Sequence, residues 1–448
     1  MCTCILWAQQ SKIDSLQKVL VIAKEDTSKV NVLNALAREL RNNKPDTAIY
    51  FAKEALKLSG KLNFKIGTGE AYLCWGMGIS NLGRYDEALK QLVKAKVLFE
   101  ELLSVPKIDR KRIKMLLAYA LNNSGTVHFN QGNYSEALES HLLALKIREE
   151  IKDQKGVAES YNNIGNIYFV QGDYSPALSN YFKALKIRAA IKEESGKADS
   201  YNNIGNVYYR QGNYFEALKN NFASLKIREK MEDKNGKADS YNNIGNIYYD
   251  QNNYTEALNN YFAALTLKKA TGDKSGIASV FNNIGSIYSN QGNYLEALKN
   301  NFSALEIQKQ IKDKMGEANT YNRIGNIYFA QGKYSDALKN NFVAMKIQEE
   351  IGRKFELADT YQNIGTVYQK QGNLSNATDY CKKSLALARE VGGILPMREA
   401  SKSLFESYKS AGKFKEALEM NELFVQLQDS IINEKNQKEI ISQQFKYD

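Results

Sequence analysis

The block YNNIGNVYYRQGN that starts at Tyr201 returns, nearly unchanged, every 40 residues. Its glycine recurs at Gly125, Gly165, Gly205, Gly245, Gly285, Gly325 and Gly365. A fixed period of this length marks an array of small helical units, each touching only its neighbours, rather than a globular domain around one core. Length alone would divide 448 residues into about three domains. That reasoning fails for arrays, and one elongated all-α domain is expected instead.

Inside one unit the apolar and small residues are spaced by three and four on both sides of an interruption. Tyr201, Ile204, Gly205 and Tyr208 precede Gln211-Gly212-Asn213; Tyr214, Ala217, Leu218, Phe222 and Leu225 follow it. This spacing predicts two amphipathic helices, A and B, joined by a tight turn. Gly212 is placed to end helix A in a left-handed conformation, and Gly132, Gly172, Gly292, Gly332 and Gly372 fill the same slot. Asn252 fills it once, and Asn is the residue that next most readily takes that geometry.

The pattern Tyr201-x2-Ile204-Gly205-x2-Tyr208-x3-Gly212-x-Tyr214-x2-Ala217 resembles the tetratricopeptide repeat. The resemblance implies a right-handed α-solenoid in which Gly205 and Ala217 let helix A and helix B approach closely. It departs in length, since the usual unit has about 34 residues, and it lacks the proline that commonly closes helix B. The additional residues, if helical, lengthen each pair by about 9 Å. The chain is thus similar to the long-repeat branch that includes kinesin light chain and the bacterial peptide-sensing regulators.

The ends of the array are less regular, as capping units are. Trp75-Gly76, Gly83, Tyr85 and Ala88 fit the template, but the step from Gly83 to Gly132 is too long, which predicts an insertion over 103–111 around Pro106. Leu33, Leu36, Asn43 and Ala48 outline a degenerate first pair; Tyr408, Gly412, Phe414 and Ala417 outline a last one, with Phe405 in the helix-A glycine slot. The expected division is 11–102, irregular pairs; 112–392, the regular array; 393–422, a capping pair; and 423–448, a polar-rich helix suited to a coiled coil or a connector. About ten helix pairs are expected in all. Residues 1–10 read in two ways, as the remnant of a secretory signal or as an apolar start to the first helix. The first reading favours a bacterial extracytoplasmic or membrane-linked setting over a cytoplasmic one.

Catalytic signals are missing. The two histidines, His128 and His141, occupy slots that other units fill with Tyr or Asn, and no phosphate-cradling loop, H-E-x-x-H or G-x-S-x-G occurs. Cys2, Cys4, Cys74 and Cys381 lack metal-ligand spacing beyond the terminal Cys2-x-Cys4. No enzyme activity, cofactor or metal is expected. The net charge of +11 suits acidic partners, but there is no long basic run. Lys226, Arg228, Lys230, Lys234 and Lys237 alternate with acids, as on a solvated outer face, so nucleic acid is not an expected partner. No stretch reaches the apolar length that crosses a membrane.

Function is left to a surface. In stacked pairs helix A lines the inner groove, so polar residues recurring along it form a ladder: Asn162 and Asn166, Asn202 and Asn206, Asn242 and Asn246, Asn282, then Asn322 and Asn326. An amide offers a donor and an acceptor, matching the backbone of an extended peptide. Each Asn within a helix costs about a few tenths of a kcal/mol relative to Ala, so a reason other than helix stability retains it. The intervening series Asn163, Asn203, Asn243, Asn283 and Asn363 suits either the groove or a bond to the neighbouring unit. Phe169, Tyr209, Tyr249 and Phe329 suit either apolar pockets between the amide rungs or burial against the next unit. Arg323 stands alone as a cation in the ladder. The resemblance to kinesin-light-chain-like repeats implies groove Asn residues holding an extended internal segment or a folded partner. Two readings follow: a protein- or peptide-binding scaffold, or the ligand-sensing input region of a bacterial histidine kinase or cyclase whose output domain is not in this sequence. A homodimer through the C-terminal helix is a further expectation.

Overall fold

The computed structural model describes the backbone of residues 2–444 and the side chains of residues 11–430. All regular structure among them is α-helical. Two compact units, Met1–Asp233 and Lys234–Asp448, divide the chain. In the first, α1 (Cys2–Ile22) precedes the pairs α2 (Thr27–Leu40) and α3 (Pro45–Lys61), α4 (Lys65–Ser80) and α5 (Tyr85–Leu102), α6 (Arg110–Gln131) and α7 (Tyr134–Glu150), α8 (Gln154–Gln171) and α9 (Tyr174–Ala190), and α10 (Glu194–Arg210) and α11 (Tyr214–Lys230). The second holds α12 (Lys234–Asp250) and α13 (Tyr254–Thr271), α14 (Lys274–Asn290) and α15 (Tyr294–Gln310), α16 (Lys314–Ala330) and α17 (Tyr334–Glu350), α18 (Lys354–Lys370) and α19 (Leu374–Val391), and α20 (Ile394–Ser410) and α21 (Phe414–Gln444). These are the ten helix pairs of the sequence reading.

The pair α10–α11 shows how 40 residues make a unit: two helices of 17 residues and two three-residue turns. The first turn ends helix A on Gly212, whose φ of 74° is left-handed. Its N–H donates to the Tyr209 carbonyl and that of Asn213 to the Tyr208 carbonyl, so two otherwise orphaned acceptors are satisfied. The second turn repeats this motif at the end of helix B. After α9, Lys192 has φ 58°, with Lys192 N–H on the Ala189 carbonyl and Glu193 N–H on the Arg188 carbonyl. Lys152, Gly272, Lys312, Gly352 and Gly392 occupy the same left-handed slot. Sequence reading placed one hinge per unit; there are two, and the second hides because lysine often fills it.

Close packing inside a pair depends on the helix-A glycine. A Cβ on Gly205 would lie 2.4 Å from Asn221 Nδ2 and 3.2 Å from the Ala217 carbonyl oxygen, and Ala217 is fully buried. The insertion is shared between elements. α5 and α6 are joined by residues 103–109, and α6 starts further ahead of its glycine than α8 does. At the other end, the capping helix and the segment expected to begin at 423 are one helix, α21.

Stacking within each unit has a direction. Helix A of one pair touches helix A of the next, as in α2 with α4, α4 with α6, α6 with α8, α12 with α14, and α18 with α20, while helix B touches no other helix B to a similar degree. The A side is therefore the inner side of each stack.

Candidate functional site

The amides of the A side form a bonded ladder. In the first unit Asn163 Nδ2 donates to Asn122 Oδ1 and Asn203 Nδ2 to Asn162 Oδ1, each at 3.0 Å. In the second, Asn283 Nδ2 donates to Asn242 Oδ1 at 3.1 Å and reaches Asn246 Oδ1 at 3.4 Å. The intervening series thus ties one pair to the one before it, and Asn162, Asn202 and Asn242 are half-buried. Asn166 and Asn246 are held differently: their oxygens accept from the buried hydroxyls of Tyr181 and Tyr261 at 2.8 and 2.7 Å. Beside Asn206 the tyrosine slot holds Asn221, which turns back onto the Ala217 carbonyl at 2.9 Å.

A buried position near the end of helix B sets which way these amides point. Arg188, 6% exposed, donates through Nη1 to the Gly196 carbonyl and the Ser200 hydroxyl, both at 2.9 Å, and to Asn162 Oδ1 at 3.4 Å. Arg148 repeats this with Gly156, Ser160 and Asn122. A guanidinium only donates, so each Asn turns its oxygen toward the arginine. Further along, Gln308 and Gln348 replace the cation, and the direction reverses. Thr320 donates to Gln308 Oε1 at 2.9 Å while accepting from Asn282 Nδ2 at 2.9 Å; Thr360, Gln348 and Asn322 do the same at 2.7 and 2.6 Å. The amino group of Asn162 has no acceptor among the described residues, whereas for Asn282 and Asn322 it is the buried oxygen that lacks a partner. Gly156 and Gly196 make room for the cations, since a Cβ there would meet the Arg148 and Arg188 side chains at 2.8 and 2.7 Å.

Sequence reading missed this row. It placed Arg228 on a solvated face, and the structure corrects it: Arg228 is buried and pairs with Asp199 at 2.9 Å. Lys268, its successor in the row, is also buried and bonds Asp239 and Asp273. The signal was present in helical phase, because Ala137, His141, Ala144, Leu145 and Arg148 lie on one buried face of α7.

Several exposed charges of the A side lose solvation to the protein around them. Asp199 keeps 54% of its side-chain surface, yet burial pushes its carboxyl above the usual range despite Arg228. Exposed Asp359 behaves alike, and exposed Arg323 is pulled down by the same cause. Each meets water on one side and protein on the others, which disfavours its charged form. Arg323 donates to the Ser286 hydroxyl at 2.6 Å, and exposed Asn326 lies one turn on. Asn202 and Asn322 are half-buried and Asn282 is buried. Phe169, Tyr209, Tyr249 and Phe329 are half-buried, each against the first tyrosine of its own helix B: Tyr174, Tyr214, Tyr254 and Tyr334, at 5.8–6.3 Å between ring centroids. These rings close the A–B turn. Tyr249 also accepts from Asn290 Nδ2 at 2.9 Å.

No group of His, Cys, Asp and Glu among the described residues is arranged to hold a metal ion, and no described helix is long and apolar enough to cross a membrane. The side chains of residues 1–10, including Cys2 and Cys4, and those from 431 onward lie outside the described residues.

Comparison with known proteins agrees with this architecture. A tetratricopeptide repeat family model matches residues 116–190, 197–270 and 276–350, half of the chain; a second matches 357–393, and the SusR N-terminal TPR domain model matches 6–99. No curated protein matches. Solved structures with the same fold include the apo quorum sensor NprR from B. thuringiensis, 17% identical with TM-score 0.55, covering 83% of this chain and 99% of that one. The STAND protein PH0952 from Pyrococcus horikoshii, which has a tetratricopeptide repeat sensor, is 15% identical with TM-score 0.55, covering 90% and 74%. A Rap protein complexed with competence and sporulation factor is 15% identical with TM-score 0.54, covering 82% and 99%. With its repeat spacing, paired helices and half its length matched by one family model, the chain belongs to the tetratricopeptide repeat family.

Proposed function

We propose that this chain is a non-enzymatic scaffold that holds an extended segment of a partner protein, or a peptide, against the A side of its helix pairs. The observation that carries this reading is the bonded series of A-side amides in each unit, with exposed Asp199 beside it in the first and exposed Arg323 and Asp359 beside it in the second. The array consumes the oxygen of Asn162, leaving its amino group for backbone carbonyls or carboxylates of a guest. Arg323, Asn326, Asn162 and Asn242 are the residues assigned to binding in this reading, and the net positive charge favours an acidic guest.

A second reading, the input region of a signalling protein, has support in the neighbours described as a quorum sensor and as carrying a repeat sensor. It uses the same A side with a signal molecule as guest.

The test is selection of a displayed random-peptide library on the chain, followed by binding of the enriched peptides to an Arg323→Ala/Asn326→Ala variant. Both residues are exposed, so helicity and melting temperature stay unchanged while affinity falls at least about tenfold. Enriched peptides that bind the variant equally well would remove the A side from the proposal.

A further inference from the structure

Within each unit, a helix B buries one flank beneath the helix A that follows it. Leu138 and Leu145 of α7 close on Val157 and Ile164 of α8; Leu258 and Leu265 of α13 close on Val280, Ile284 and Ile287 of α14. The Leu145 slot stays 5–9% exposed at Leu225, Leu265, Leu305 and Leu385 as well. In α21 the same register holds Phe414, Leu418 and Val425, which are 72, 59 and 45% exposed. Its other flank is ordinary, with Ala417 buried and Leu423 packed in one cluster with Leu404 and Tyr408 of α20. Steps of four and seven put Phe414, Leu418 and Val425 on one stripe. No described helix packs on that stripe.

We propose that a second copy of this chain covers the stripe, α21 lying antiparallel to α21 across a two-fold axis. The flank has the composition of the interface that joins earlier pairs to the next within each unit, so a helix with an apolar stripe is the occupant it fits. Charge selects the arrangement. With Leu418 opposite the partner's Val425, Lys415 on one edge of the stripe comes beside the partner's Asp429. The same register brings Glu422 to the two-fold axis, next to its own counterpart. At 31 residues, α21 also outlasts the helix-B length of 17 or 18 seen in most other pairs, which gives a second copy more helix to pair with.

Sedimentation velocity of the full chain over a concentration series tests this. The expected result is a reversible dimer whose dissociation constant rises more than about 100-fold in Leu418→Asp/Val425→Asp, with circular dichroism unchanged because both residues are exposed. Asp429→Lys should weaken the dimer, Lys415→Glu added to it should restore affinity, and Glu422→Gln should tighten it. A Leu418→Cys/Val425→Cys chain, with Cys2 and Cys4 changed to Ser, should oxidise to a covalent dimer while either single cysteine does not. Cys74 and Cys381 stay out of that reaction, since burial pushes their thiols up to about 11 and about 12. A monomer at every concentration, or a dimer indifferent to Leu418→Asp/Val425→Asp, overturns the proposal and gives the stripe to another occupant.

Discussion

Arg188 donates to the Ser200 hydroxyl at 2.9 Å across the boundary between two helix pairs, and both groups are buried. The pair works as a joint between units, and its sister joint uses Gln348 and Thr360 with the proton donated the other way. Arg188→Ala should therefore cost about 3 kcal/mol in urea unfolding, because Ser200 and the Gly196 carbonyl lose this donor together and Asn162 keeps only Asn203. Arg188→Gln should cost nearly as much, and adding Ser200→Thr should recover most of the loss by rebuilding the second joint. A double variant no more stable than Arg188→Gln would show that the two joints are not interchangeable.

Two glycines in one unit answer to different physics. At Gly205 an added Cβ collides with Asn221 and crowds the Ala217 carbonyl, so Gly205→Ala should lower stability by about 2 kcal/mol. At Gly212 the space is open but φ is 74°, so Gly212→Ala should cost about 1 kcal/mol through backbone strain alone. Gly212→Asn should be nearly neutral, as Asn252 already holds φ 58° in that slot. Thermal unfolding of the three variants separates the two mechanisms by their order.

The period, the paired helices and the Gly212 hinge were legible because each is written in a residue type that has one strong local reason to be there. Asn203 was only half legible: its recurrence could be counted, but its bond to Asn162 spans 41 residues and needed the stack itself. Arg228 misled because charge is ordinarily solvated, and only its helical phase, three residues after Leu225, reveals that it faces inward. The exposed stripe of α21 could not be read from Leu418 at all, since the same leucine slot is half-buried or buried in the pairs before it.

The second hinge offers stability that the chain does not use. Lys152, Lys192 and Lys312 are held at φ 58–59°, where an L side chain is strained and glycine is not. Replacing each by Gly should raise stability by about 0.5–1 kcal/mol, and the three gains should add, because each turn bonds only to its own helix end. Gly272, Gly352 and Gly392 show that the turn accepts the substitution. Urea midpoints of the single and triple variants check this; a triple variant no better than the parent would mean that the lysine side chains contribute what the strain removes.

His141 gives the array a pH dependence of definite sign. The ring is 2% exposed, lies against Gly125, and its Nδ1 has no partner. Burial, aided by the Arg148 charge, holds its pKa down at about 4 against 6.5 for a free imidazole. Between those values the unfolded chain binds a proton that the folded chain refuses. The contribution of His141 to stability is therefore complete above pH 6.5 and is lost progressively as pH falls toward 4, by about 3 kcal/mol in all. His141→Asn should remove this dependence without harming the packing, because Asn221 and Asn301 fill the same slot and bond the Ala217 and Ala297 carbonyls. The difference in unfolding free energy between parent and variant, measured at several pH values, isolates the histidine from the carboxylates that both chains share. It should shift in favour of the variant as the solution is acidified; curves that stay parallel from neutral pH to pH 4 would mean that the imidazole accepts its proton in the folded state.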